Sequence, residues 1–90
     1  MRLNKDFVMR TVAGQMVLIN DSAKRVDFNG ILSMNEPAAW LWKKISDSDV
    51  DFDAETLVSW LLEEYEITPE IARQDVDELI DQWLLYGVVR

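Results

Sequence analysis

The stretch from Asp27 to Trp42, Asp-Phe-Asn-Gly-Ile-Leu-Ser-Met-Asn-Glu-Pro-Ala-Ala-Trp-Leu-Trp, limits the folds open to this chain more than any other. Gly30 to Met34 reads as a short strand, with Ile31 and Ser33 on one face and Leu32 and Met34 on the other. Asn35 is a good helix N-cap, and Glu36 and Pro37 suit a first helical turn. A strand that passes straight into a capped helix divides the chain into a strand-rich first third and a helical remainder.

On the strand side, Lys5 to Ala13 carries Phe7, Val8, Thr11 and Val12, and Met16-Val17-Leu18-Ile19 resumes after Gly14. Two β-branched and aromatic runs split by a glycine-containing turn predict a hairpin. Asn20-Asp21-Ser22 is turn chemistry, because these side chains bond their own backbone. Ala23 to Asn29 reads as a loop or an irregular strand. On the helical side, the first helix is expected to end near Ile45, and Ser46 to Phe52 to form an acidic loop. Asp53 caps a second helix with Leu57, Val58, Leu61, Leu62 and Tyr65 on one face. Thr68-Pro69-Glu70 opens a third, which Gly87 stops.

The expected architecture is therefore α+β and winged helix-turn-helix-like. A three-stranded antiparallel N-terminal sheet is followed by three α-helices, in a single domain over residues 1–90. The apolar share of 49% is enough for a real core. The uninterrupted apolar runs are far too short to span a bilayer, and Arg10 interrupts the early apolar stretch. A soluble cytoplasmic protein without a membrane partner is expected.

A winged helix usually suggests DNA, but the net charge is −8. Nucleic-acid affinity rests largely on phosphate neutralisation by Lys and Arg. The third helix, where a recognition helix would sit, holds Glu70, Asp75, Asp77, Glu78 and Asp81 against a single Arg73. Phosphates would repel it, so no nucleic-acid partner is expected. A basic or neutral partner is electrostatically easier.

Catalytic chemistry is also poorly served. The chain has no histidine and no cysteine, which removes most nucleophile–base pairs and the usual zinc sites. No glycine-rich phosphate loop exists among three scattered glycines. The run Asp47-Ser48-Asp49-Val50-Asp51-Phe52-Asp53 begins like a calcium loop. Phe52 then stands where the sharp turn needs glycine, and Val58 where a bidentate glutamate is needed. Neither enzymatic activity, a metal nor a cofactor is expected.

Two features remain. The apolar stripe of the third helix is wide: Ala72, Val76, Leu79 and Trp83 form one line, with Ile80 and Leu84 beside it. Either the whole stripe is core, or one edge packs inward while the other lines a groove. The strand Gly30 to Met34 lacks Lys, Pro and any bulge signal beyond Gly30. At a sheet edge, such a strand can accept an incoming one. Alternatively, the N-terminal arm or the Ala23–Asn29 segment covers it. Among competing readings are a DNA-binding regulator and a structural adaptor or inhibitor that binds a folded protein, or a second copy as a homodimer, through the same edge.

The segments Asp27-Phe28-Asn29-Gly30-Ile31, Met34-Asn35-Glu36 and Ala39-Trp40-Leu41-Trp42 resemble the strand-to-helix region of the PqqD family, named for coenzyme PQQ synthesis protein D. Leu61-Leu62-Glu63-Glu64-Tyr65, Ala72-Arg73-Gln74-Asp75-Val76 and Tyr86-Gly87-Val88-Val89 are similar too. The resemblance runs from about Met1 to Val89. It implies a module that binds the leader of a ribosomally made precursor peptide and presents it to a modifying enzyme, often a radical SAM enzyme. It further implies that the leader adds to the third strand, at Gly30, Ile31, Leu32, Ser33 and Met34. The groove wall would come from Asp75, Val76, Glu78, Leu79, Gln82 and Trp83. The chain departs from the family at Asn20-Asp21-Ser22, where a proline is common in the PQQ proteins, and at Pro37, where Thr or Ser is common. The resemblance therefore implies a class of partner and not a pathway.

Overall fold

The hairpin turn is built from Ala13 and Gly14, both with positive φ (52° and 80°). Two consecutive left-handed residues make the turn whose twist matches that of the strands it joins. A computed structural model describes residues 1–21 and 31–89 of the chain. The turn joins β1 (Phe7–Val12) to β2 (Gln15–Asn20), and β3 (Ile31–Ser33) follows. The strand order is β1-β2-β3 and both pairings are antiparallel. The predicted loop or strand at Ala23–Asn29, and Gly30 itself, lie outside the described residues.

Register determines which side chains share a face. Met9 faces Leu18 and Leu18 faces Leu32, so these three point to one side of the sheet. That side meets the helices. Leu18 and Leu32 are buried there with Phe7 and Met34, against Leu41, Ile45, Leu57, Val76 and Trp83. The opposite face carries Arg10 and Ser33, both exposed.

Each helix starts as its cap residue dictates. α1 (Glu36–Ser48) opens where Asn35 Oδ1 accepts the N–H of Ala38 at 2.9 Å. α2 (Ala54–Glu64) opens at Asp53, which accepts both the N–H and the hydroxyl of Thr56 at 2.9 Å. Those two bonds hold the Asp53 carboxyl below the usual carboxylate range. α3 (Pro69–Tyr86) opens at Thr68 and ends at Gly87, whose φ of 77° no β-branched residue would tolerate.

One boundary differs from the sequence expectation. α1 continues to Ser48, three residues past Ile45, and closes at Asp49 with φ 47°. Asp tolerates this left-handed geometry better than most side chains. Its N–H bonds the carbonyl of Ile45 at 2.9 Å, while Arg2 and Lys5 approach its carboxylate at 3.7 and 3.8 Å. The final turn is exposed and has no apolar periodicity, so pattern alone ended the helix early.

The N-terminal arm does not cover β3. The Phe52 N–H bonds the carbonyl of Met1 at 2.9 Å, Asn4 N–H bonds Val88 at 2.7 Å, and Leu3 bridges to Val89. The arm thus ties the segment before α2 to the end of α3.

Candidate functional site

Backbone alternation along β3 defines the site. Met34 donates its N–H to Met16 at 3.0 Å, and Leu18 lies opposite Leu32. In an antiparallel pair, alternate residues turn both backbone groups toward the partner strand. Met34 and Leu32 therefore spend theirs on β2. Ile31 and Ser33 turn their N–H and C=O outward, where no strand pairs with them among the described residues.

Side chains follow the opposite logic. Leu32 and Met34 are buried in the core, Ile31 is half-buried and Ser33 is exposed. The five-residue segment expected to pair with a peptide therefore splits. Ile31 and Ser33 offer hydrogen bonds, Leu32 and Met34 anchor the strand, and Gly30 lies outside the described residues.

Close to the C-terminal end of β3 is a groove of about 340 Å³. Asp75, Glu78, Leu79 and Gln82 of α3 form one wall. Asn35, Pro37, Ala38 and Leu41 form the other, and Leu61 of α2 contributes to it. Positions 75, 78, 79 and 82 recur at helical spacing, so one face of α3 presents all four. Leu79 is half-buried, and Asp75, Glu78 and Gln82 are exposed.

Val76 and Trp83 are placed differently. Both have 0% exposure in the core and do not line the groove. They anchor α3 in the shared hydrophobic core. The wide stripe of α3 thus divides into a buried line at Ala72, Val76, Ile80 and Trp83 and a groove edge at Leu79. Leu84 is 52% exposed and belongs to neither. The residues that sequence reasoning missed are those of α1 and α2. No local signal marks them, because they reach the groove only when α1 and α2 pack beside α3.

The groove is acidic. Asp75 and Glu78 line it, and among the described residues no Lys or Arg does. The single basic residue of the described α3, Arg73, is held by Glu55 and by Asp77 at 3.4 Å. A larger cleft, about 630 Å³, lies elsewhere, along β1 and the last turns of α1. Among the described residues no group of three or more acidic side chains is placed to hold a metal ion. No helix among them is long and apolar enough to cross a membrane.

The family model of coenzyme PQQ synthesis protein D (PqqD) matches residues 15–89. The chain belongs to the PqqD family. No curated protein matches it. Two solved structures share its fold. One, described as lasso peptide synthetase B1 complexed with the leader peptide, is 20% identical with a TM-score of 0.66, over 96% of this chain and 92% of that one. The other, described as TbiB1 in complex with the TbiA(beta) leader peptide, is 11% identical with a TM-score of 0.70, over 98% and 93%. This PqqD-family member thus keeps the three-strand, three-helix arrangement at low sequence identity.

Proposed function

We propose that this domain is a non-catalytic peptide chaperone that binds the leader segment of a ribosomally made precursor peptide and presents it to a modifying enzyme. The observation that carries this reading is the pair of outward-facing backbone positions, Ile31 and Ser33, on a strand that leads into an acidic groove with Leu79 at its edge. An extended peptide adds to β3 through those groups, and its alternate side chains drop toward Leu79, Ala38 and Leu41. The two solved structures compared above are described as leader-peptide complexes, which supports the same occupant.

Because β3 is only three residues long, the backbone ladder is short. Selectivity falls to the groove. Its carboxylates, Asp75 and Glu78, favour a leader with Lys or Arg near the apolar anchors. The chain's lack of histidine and cysteine fits a role in binding and not in chemistry. Holding a substrate beside an enzyme raises its local concentration without any new catalytic group. Such a role belongs in the cytoplasm, where precursor peptides are made.

An NMR titration with the precursor peptide encoded beside the gene tests this. Shifts concentrated at Ile31, Ser33 and Asp75 to Gln82 are expected. Shifts confined to other surfaces, or none at millimolar peptide, would reject strand addition at β3.

A further inference from the structure

The cations of this acidic protein are not scattered. Among the described residues, Lys44 is stacked over the rings of Trp40 and Trp60, at 5.1 and 4.9 Å, and Arg73 is paired with Glu55 and Asp77. Arg2 and Lys5 are engaged by Asp49. Arg10 and Lys43 have no carboxylate partner among the described residues, and both line the large cleft beside β1. That cleft gathers four cations, Arg2, Lys5, Arg10 and Lys43, against two carboxylates, Asp47 and Asp49.

The same cleft runs along a second unpaired sheet edge. Asp21 donates to the carbonyl of Asp6 at 2.7 Å, so alternation turns the backbone groups of Phe7, Met9 and Thr11 away from β2. Phe7 N–H is taken by Asn4 at 3.1 Å. Met9 and Thr11 keep both groups outward, with no strand partner among the described residues. Half-buried Val8, Met9 and Trp42 give the cleft apolar surface. The indole N–H groups of Trp42 and of the core residue Trp83 are both buried with no acceptor among the described residues.

We propose that the β1 edge and its basic cleft form a second docking site, for an acidic extended segment of another protein. The segment pairs with Met9 and Thr11, sets apolar side chains on Met9 and Trp42, and places carboxylates against Arg10 and Lys43. Net charge does not forbid this. At physiological salt the screening length is about 8 Å, so an incoming carboxylate responds mainly to the cleft. The site is independent of the groove at β3: the two edges face opposite ways across β2, with adjacent strands about 4.8 Å apart. One domain can therefore hold a basic peptide on one edge and an acidic partner on the other.

The test uses two acetylated hexapeptides, one alternating Glu and Val and the other Lys and Val, titrated into the labelled protein. The Glu peptide is expected to shift the amides of Met9 and Thr11 and the indole of Trp42, and to leave Ile31, Ser33 and Leu79 in place. The double substitution Arg10→Glu with Lys43→Glu, at two exposed positions, should weaken it at least tenfold with an unchanged thermal melt. Thr11→Pro, which removes an outward donor and no ladder bond, should weaken it as well. No shift at millimolar Glu peptide, shifts at β3 instead, or equal affinity in the charge-reversed protein would each overturn the proposal. Light scattering that shows self-association, abolished by the same double substitution, would also overturn it by naming a second copy as the occupant. The Lys peptide reports on the β3 groove separately, so failure at one edge is not read as failure at the other.

Discussion

The two edges of the sheet offer an incoming strand the same backbone chemistry and opposite electrostatics. At β3, Ile31 and Ser33 turn donors and acceptors outward, and the groove that begins at Asn35, just past the strand, is lined by Asp75 and Glu78. At β1, Met9 and Thr11 do so beside Arg10 and Lys43. Strand addition by itself is indifferent to sequence, because every peptide except proline carries an N–H and a C=O. Under the two proposals, a small domain would still discriminate: side chains that flank each edge would select by charge, and alternate pockets by shape.

The largest effect should come from a residue behind both edges. Trp83→Ala empties a fully buried site, and losing a buried aromatic costs about 3–5 kcal/mol. A 90-residue domain has only about 5–15 kcal/mol to lose. A urea melt should show a large drop in midpoint, and binding at both edges should fall together. Retained stability with lost peptide binding would return Trp83 to the groove wall.

Ser33→Pro sharpens the comparison at one edge. It removes an outward N–H and no ladder bond, so leader binding should drop at least tenfold while the fold and the β1 edge are kept. Leu32→Pro is the contrasting substitution, since it removes a bond to β2 and should destabilise the sheet. Calorimetry of peptide binding beside a thermal melt of each variant distinguishes the two. If Leu32→Pro were the better tolerated, the register derived for β3 would be wrong.

Reversing the groove charge should have an intermediate effect. Asp75→Lys with Glu78→Lys is expected to weaken a basic peptide about tenfold at low salt, and less in 0.5 M salt. An affinity that ignores both substitution and salt would leave shape alone as the selector at β3.

Two smaller effects concern the helix starts. Asn35→Ala removes the cap of α1 at the groove rim and should cost about 1 kcal/mol, seen as a fall of several degrees in Tm. At α2, the Asp53 carboxyl is held below its ordinary value by the Thr56 N–H, then by the Thr56 hydroxyl. A depressed folded pKa contributes stability that is present above the unfolded value, 3.8, and lost as pH falls through the folded one. Asp53→Asn keeps an acceptor without titrating. The difference in Tm between it and the parent protein should therefore change below about pH 4. A constant difference through that range would show that this cap is not linked to pH.

Much of the fold was legible because its signals are local. Asn35, Asp53 and Thr68 act within one helical turn, and each caps the helix expected of it. Ala13-Gly14 and the alternation of β1 and β2 specify the hairpin. The end of α1 was less legible, because Asp49 is held by Arg2 and Lys5, far away in sequence. Of the proposed groove, Asp75, Glu78, Leu79 and Gln82 were named through the family resemblance, and they line it on one face of α3. Pro37, Ala38, Leu41 and Leu61 were not, because they reach it only when α1 and α2 pack beside α3. Nor could spacing separate Leu79 from Val76 and Trp83, which share its apolar stripe.

By itself, the sequence determined the order of elements, their caps, the acidic character of α3 and the absence of histidine or cysteine chemistry. These depend on residue type and on neighbours within a few positions. Tertiary structure alone decided which backbone groups of β3 are spent and which are offered, because that depends on pairing register with β2. It also decided that, among the described residues, the uncommitted cations gather at the opposite edge. Charge at a surface is a sum over residues brought together from β1 and α1, and no reading along the chain performs that sum.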